Sequence, residues 1–298
     1  MSGGHDDESV YDGLTGHDDP RWAFGSGFAE SEADIVAPVP DGAEPADLAA
    51  YCQMLGDDAL VLSHRLTEWV SNAPELEEEV ALANIALDLL GQARVLLARA
   101  GHVEGAGRDE DDLAYRRDAA GFRCVGLVEP SDELDFARAI ARLLMFSTWR
   151  LALLARLEGS ADPVIAAVAA KGVKEVTYHR DYAARWTLRL GDGTAESHGR
   201  MQDGLAWAWP YLDELFRTTD QERRLVAAGV AADPADTRDE VDSVIDQVLE
   251  RATLTRPDVR PAGTLGGRGG RQGVHTEKLE DALAVMQSLA RKHPEATW

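Results

Sequence analysis

Cysteine, lysine and unbroken apolar stretches are all scarce in this chain, and each shortage removes a class of protein. Cys52 and Cys124 are the only cysteines, too few for a disulfide framework or a cysteine-based metal cluster. No run approaches the roughly 18 consecutive apolar residues that read as a bilayer-spanning helix. The first twenty residues hold Asp6, Asp7, Glu8 and three further aspartates and no apolar stretch, which does not fit a secretory signal. These features predict a soluble, cytoplasmic protein. Positive charge is short as well: 30 Lys and Arg stand against 53 Asp and Glu, a net charge of −23. Such a balance argues against nucleic acid or an anionic membrane as the main partner. Only Lys171, Lys174, Lys278 and Lys292 are lysines. An acidic, lysine-poor surface suits a salty cytoplasm, where screening removes most self-repulsion.

Hydrophobic residues make up 45% of the 298, enough for a packed interior. Residues 1–44 are rich in Gly, Asp, Glu and Pro and are predicted to form a flexible acidic extension. From Pro45 to the end the apolar spacing is helical, without repeat or β alternation. The first helix is expected over Asp47–Ser71, ended by Asn72-Ala73-Pro74 because the residue before proline is pushed out of the α region. Pro74 and the glutamates after it suit the start of a second helix running to about Gly101. A loop with a short helix near Asp111–Arg117 follows, then Ser131 as the cap of Glu133–Leu157. Asp162-Pro163 starts another helix, stopped near Leu190 by Gly191-Asp192-Gly193. Helices of that length, each about 35–40 Å at 1.5 Å per residue, make an all-α long four-helix bundle. Further helices near Ser197–Arg217, Asp236–Thr253 and Thr276–Lys292 would pack outside it, and Gly263–Gly273 is a Gly/Arg-rich loop.

Long bundles host di-iron carboxylate sites built from a carboxylate on each of two helices and Glu-x-x-His on the other two. Only fragments of that template are present. The first helix offers Glu68, with His64 one turn before it, and the second offers Asp88 with Gly91 at the histidine position. The third has no carboxylate between Asp135 and Glu158. The fourth has Glu175 and His179, four residues apart instead of three but still on one face. An incomplete set reads better as a buried hydrogen-bond network, with Arg65, Arg94 or His179 as partners. Trp207, Trp209, Pro210 and Tyr211 form an aromatic group open to two readings, core packing or an interface hot spot. Two basic groups stand out: Arg116-Arg117 with Gly121-Phe122-Arg123-Cys124, and Arg268 with Arg271 among glycines. Arginine on glycine-rich backbone can cradle phosphate, but no Walker or Rossmann motif accompanies either group.

Several segments are distinctive in combination. They are Ala59-Leu-Val-Leu-Ser-His-Arg-Leu-Thr-Glu-Trp69, Ala73-Pro-Glu-Leu-Glu77 and Ala81-Leu-Ala-Asn-Ile-Ala-Leu-Asp-Leu-Leu-Gly-Gln-Ala-Arg94. Asp109-Glu-Asp111, Lys174-Glu-Val-Thr-Tyr-His179 and Arg189-Leu-Gly-Asp-Gly-Thr194 join them, as do Gly273-Val-His-Thr-Glu-Lys-Leu279, Met286-Gln287 and Trp298. From about Ala50 onward the chain resembles the PaaC family of phenylacetyl-CoA epoxidase subunits. The resemblance implies a ferritin-like fold and a structural subunit with no cofactor of its own. It also implies a di-iron catalytic partner subunit, a reductase carrying FAD and iron–sulfur, and aerobic phenylacetate degradation as the setting. On that footing no residue of this chain is expected to be catalytic or to bind metal. Glu68, Asp88, Glu175 and His179 are then degenerate di-iron positions, and Arg117, Gly121, Phe122, Arg123 and Cys124 are candidate contacts to the CoA portion at a subunit boundary. Two other functions stay open: a self-contained di-iron oxygenase using those four residues, and a CoA-ester binding module.

Overall fold

The computed structural model describes residues 35–296. Helices are numbered from α1, Pro45–Thr67, which begins on a proline whose missing N–H needs no partner there. It ends four residues before the expected Ser71. Trp69 turns its buried indole inward and donates from Nε1 to Asp132 at 2.9 Å, and Ser71 takes φ +69°. Helix α2, Leu76–Glu104, runs back and closes on Gly105 in the left-handed region.

A long crossover follows, holding α3, Glu110–Tyr115, and 3-10 turns at Ala119–Gly121 and Gly126–Val128. Helix α4, Phe136–Leu157, is capped by Asp135, which accepts from the N–H groups of Ala137 and Arg138. The expected cap, Ser131, lies too early. Glu133 and Leu134 have positive φ, and Asp132 is committed to Trp69 and Arg142. Asp162 caps α5, Pro163–Gly191, as expected.

The expected helix Ser197–Arg217 is two elements, α6 at Ala195–Ala208 and a 3-10 stretch at Trp209–Phe216. Pro210 has no N–H to continue the α-helical ladder. A helix the periodicity did not reveal, α7 at Asp220–Ala227, precedes α8, Arg238–Arg251. The last expected helix divides into α9, Glu277–Met286, and α10, Ser288–Lys292.

Hairpins α1–α2 and α4–α5 pack together with α2 against α5, and α6 and α8 cover the outside of the second hairpin. Two long hairpins joined by one crossover make the ferritin-like arrangement. On α4, Ile140, Leu143, Leu144, Phe146, Leu153, Leu154 and Leu157 are all buried, each such burial being worth about 1.5–3 kcal/mol. The body also reaches back before Pro45: Val39 and Ala43 pack on the core. Buried Arg99 donates to the carbonyls of Ile35 at 2.8 Å and Pro38 at 3.4 Å. Most of the expected acidic extension, residues 1–34, lies outside the described residues, as does Trp298.

Candidate functional site

The four residues weighed as metal ligands divide. Asp88, Glu175 and His179 come together where α2 meets α5, but Glu68 sits exposed at the far end of α1, 2.7 Å from Arg65. Asp88 and Gln92 stand one turn apart on α2, as do Glu175 and His179 on α5, so the two pairs face each other. His179 Nε2 lies 3.0 Å from Asp88 Oδ2, with the imidazole buried. Gln92 donates to Glu175 Oε2 at 3.0 Å, and Lys171 reaches Glu175 at 3.3 Å. Burial pushes the Glu175 carboxyl above its usual range, and nearby Asp88 pushes the same way, while Gln92 and Lys171 oppose them.

Helix α4 brings cations to this layer. Fully buried Arg150 donates to Gln92 Oε1 at 3.2 Å and to the Leu55 carbonyl at 3.2 Å. An unbroken chain therefore runs from Arg150 through the Gln92 amide to Glu175, across three helices. Burial lowers the Arg150 pKa to about 10, which leaves it charged at neutral pH. A guanidinium one amide away opposes a divalent ion at Glu175, because like charges repel strongly in a low-dielectric interior. Arg142, two turns earlier on α4, is also fully buried and pairs with Asp132 at 2.9 Å. The residues present do not fit a di-iron centre: three candidate ligands converge, α4 offers arginine in place of carboxylate, and Gln92 occupies one face of Glu175.

The second candidate region lies where the crossover meets the loop before α9. Asp57 and Asp58 are adjacent on α1 and both fully buried; Asp57 holds the crossover, and Asp58 ties the crossover to the loop before α9. Asp57 takes both terminal nitrogens of Arg117, one at 3.0 Å, and accepts from the Arg123 N–H at 2.8 Å. Arg117 also donates to the Gly121 carbonyl at 2.9 Å and stacks 4.3 Å from the centre of the Phe122 ring. Asp58 takes Arg271 in a fork at 3.0 and 2.8 Å and accepts from the Val125 N–H at 2.8 Å. Arg271 spends its remaining reach on the carbonyls of Met54 and Arg123.

This geometry places Arg117, Phe122 and Cys124 inside the protein, with the Arg117 guanidinium saturated by internal partners. Of the five residues expected to touch a CoA moiety, Gly121 and the Arg123 side chain are the ones that reach solvent in part. Arg123 Nη1 itself donates to the Ala120 and Phe122 carbonyls, both at 2.9 Å.

Two more carboxylates stitch the same loops. Glu214 accepts from the N–H of Gly126 at 2.7 Å and of Gly270 at 2.8 Å. Glu129 accepts from Thr276 N and Oγ1 at 2.7 and 2.8 Å and meets His275 Nδ1 at 2.7 Å. Among the described residues, Cys124, Glu129 and His275 bring ligand-type atoms within 4.8 Å of one another. The Glu129 oxygens and both His275 nitrogens are already committed to other partners. His275 donates from Nε2 to the Phe122 carbonyl at 3.0 Å, so its two nitrogens both serve as donors. Burial works against its charge, but Glu129 and that carbonyl prevail and raise its pKa. Burial, reinforced by Glu129, Asp57 and Asp58, holds the Cys124 thiol well above its ordinary value, so the group is a buried ion pair beside a neutral thiol.

Sequence reading missed Asp57, Asp58, Glu129 and Asp132 as anchors. A signal was available: Arg142 and Arg150 occur in register with the apolar face of α4, where a cation requires a buried partner. The aromatic group resolves into partial burial: Trp207, Trp209 and Tyr211 pack against the core as half-buried residues. Arg138 and Arg142 lie near the Trp207 ring.

A family model described as phenylacetic acid catabolic protein matches residues 39–298. The chain is also 43% identical over 251 residues to the C component of 1,2-phenylacetyl-CoA epoxidase from Escherichia coli (strain K12). That match covers 84% of this chain and 99% of the relative.

Proposed function

The chain belongs to the phenylacetic acid catabolic protein family, and from that premise we propose that it is a non-catalytic subunit of a phenylacetyl-CoA epoxidase complex. In this reading a partner subunit supplies the di-iron chemistry, and a reductase with FAD and iron–sulfur supplies electrons. This chain contributes a rigid helical body against which the catalytic subunit is held.

The observation that carries the proposal is the Arg150–Gln92–Glu175 chain. It fills the layer between α2, α4 and α5 with an amide and a permanent cation, where a di-iron protein needs anionic oxygen ligands. The loops that could have offered an anion site are closed by Asp57 and Asp58, so the second function, a free-standing CoA-ester binder, has less support. If CoA phosphate is met at the subunit boundary, Arg123 is the residue of its loop placed to meet it. The test is iron per chain after expression alone in iron-supplemented medium, with the catalytic subunit prepared in parallel. Well below 0.1 iron per chain here, with iron in the control, is expected on a ligand set this incomplete. Close to two irons per chain, lost on Glu175→Ala and His179→Ala substitution, would overturn the reading.

A further inference from the structure

Helix α2 is apolar on two opposite faces, and the fold uses one of them. Toward the bundle it buries Leu82, Ile85, Ala86, Leu89, Ala93 and Leu96. On the opposite side Leu76 is 70% exposed, Val80 52%, Leu87 47% and Leu90 39%, with Ala83 half-buried between them. Tyr178 of α5, beside the Asp88–His179 pair, adds a ring that is 52% exposed. The most apolar 18 residues of α2 have a mean hydropathy of 1.5, yet only 44% of that window is buried. A contiguous apolar stripe left exposed along a helix marks a contact surface.

The spacing says what covers it. Positions 76, 80, 83, 87 and 90 step by four, three, four and three, the 3.5-residue period of a seam that receives another helix. An extended peptide does not call for that period, and exposed Glu75 and Glu77 on a chain of net charge −23 oppose an anionic lipid surface. The uncovered side chains amount to apolar surface on the order of 500 Å². That is near the most a monomer leaves open, and about the apolar part of a standard interface of roughly 800 Å² per partner. The seam begins beside exposed Glu75 and Glu77, and the whole chain carries −23. A second copy would bring the same excess of negative charge, whereas a different polypeptide can place Lys or Arg opposite those glutamates.

We infer that the outward stripe of α2 is the seam on which a helix of another epoxidase subunit docks, with its own apolar residues at 3.5-residue spacing and basic residues facing Glu75 and Glu77. The inference rests on the subunit reading above and adds to it the surface by which the protein is held in the complex.

The experiment is co-expression of the full-length chain, tagged, with the other epoxidase subunits of the same organism. Capture is followed by size-exclusion chromatography with light scattering. The variants are Val80→Glu and Leu87→Glu, both at exposed helical positions where glutamate keeps the helix, and Val285→Glu on α9, which is 78% exposed, serves as control. Each seam variant is expected to melt within about 2 °C of the parent and to lose at least 100-fold in affinity for its partner, while the control binds normally. Binding that survives both seam substitutions overturns the seam and leaves the subunit reading standing. Failure of the unmodified chain to bind any of the subunits removes the subunit reading and the seam together. A dimer of this chain alone that Leu87→Glu converts to monomer would show that a second copy is the occupant and overturn the assignment.

Discussion

Asp58→Ala is the substitution that most directly tests how this fold is closed. The carboxylate is fully buried and makes a fork with Arg271, which is 213 residues away in sequence. Removing it leaves Arg271 buried without its counter-ion, and Arg150 loses a nearby offsetting charge as well. Breaking a buried pair from one side costs roughly 3–5 kcal/mol. Arg271 keeps its bonds to the carbonyls of Met54 and Arg123, which hold the loss toward the lower figure. At about 2–4 °C per kcal/mol for a chain of this size, the melting temperature should fall by roughly 10 °C. The double variant Asp58→Ala, Arg271→Ala should be less destabilised than the sum of the singles, by at least about 2 kcal/mol, because no charge is then stranded. Thermal melts of the four proteins measure both quantities. Hydrogen exchange should show the segment around Arg271 opening first. A single-variant loss below about 1 kcal/mol, or strict additivity, would refute the claim that this pair pins the loop.

Two further outcomes follow from the same region. The raised pKa of His275 means that the Glu129 pair stabilises fully below the unfolded value of about 6.5 and is lost as pH rises through the higher folded value. Melting temperature should therefore decline across the interval just above pH 6.5, and His275→Gln should flatten that decline; parallel curves for the two proteins would contradict the pairing. Gly270→Ala should cost about 1–3 kcal/mol, because the new Cβ would lie 1.9 Å from the Cys124 carbonyl oxygen and the backbone must move. By contrast, Gly199→Ala on α6 meets nothing within 4 Å and should be neutral or stabilising, by up to about 1 kcal/mol, as judged by urea unfolding.

The helical character of the chain was legible because each long helix repeats apolar residues at three and four, and because Asp162-Pro163 punctuates it in a way backbone chemistry enforces. Helix ends were less legible where a distant partner decided them. Trp69 leaves α1 early to reach Asp132, and Asp132 in turn defers the start of α4 to Asp135. The first tie spans 63 residues, far beyond one helix length, and the second follows from it. The metal positions show the same limit: spacing alone put Asp88, Glu175 and His179 on compatible faces, and they do meet, but Glu68 is a full bundle-end away. The basic loops misled for a physical reason. Arginine next to glycine looks available for phosphate, and nothing local to Arg117 or Arg271 announces that Asp57 and Asp58 already occupy them.

Buried aspartates also explain how a long bundle can carry so much charge inside. Arg99, Arg142 and Arg150 are each wholly buried, and isolated cations there would cost many kcal/mol. Arg99 and Arg142 are paired with caps or corner residues, Asp162 and Asp132, that start or precede a helix, and each also binds loop carbonyls. The cation therefore neutralises a carboxylate and satisfies backbone groups that a bundle of bare helices would leave unpaired. Pairs of this kind add little net stability compared with apolar residues of the same volume, but an altered register strands a charge, so they penalise wrong packings heavily. Arg150 differs: its Nε and Nη1 have no protein partner, and its one side-chain acceptor is Gln92. It is thus the least satisfied of the three and the one that reaches the α2–α5 layer. Replacing it with methionine should cost little stability while removing the cation that opposes a metal at Glu175. Measurable binding of ferrous ion by Arg150→Met, absent from the parent, would show that electrostatics and not only the number of ligands sets the metal affinity of this layer.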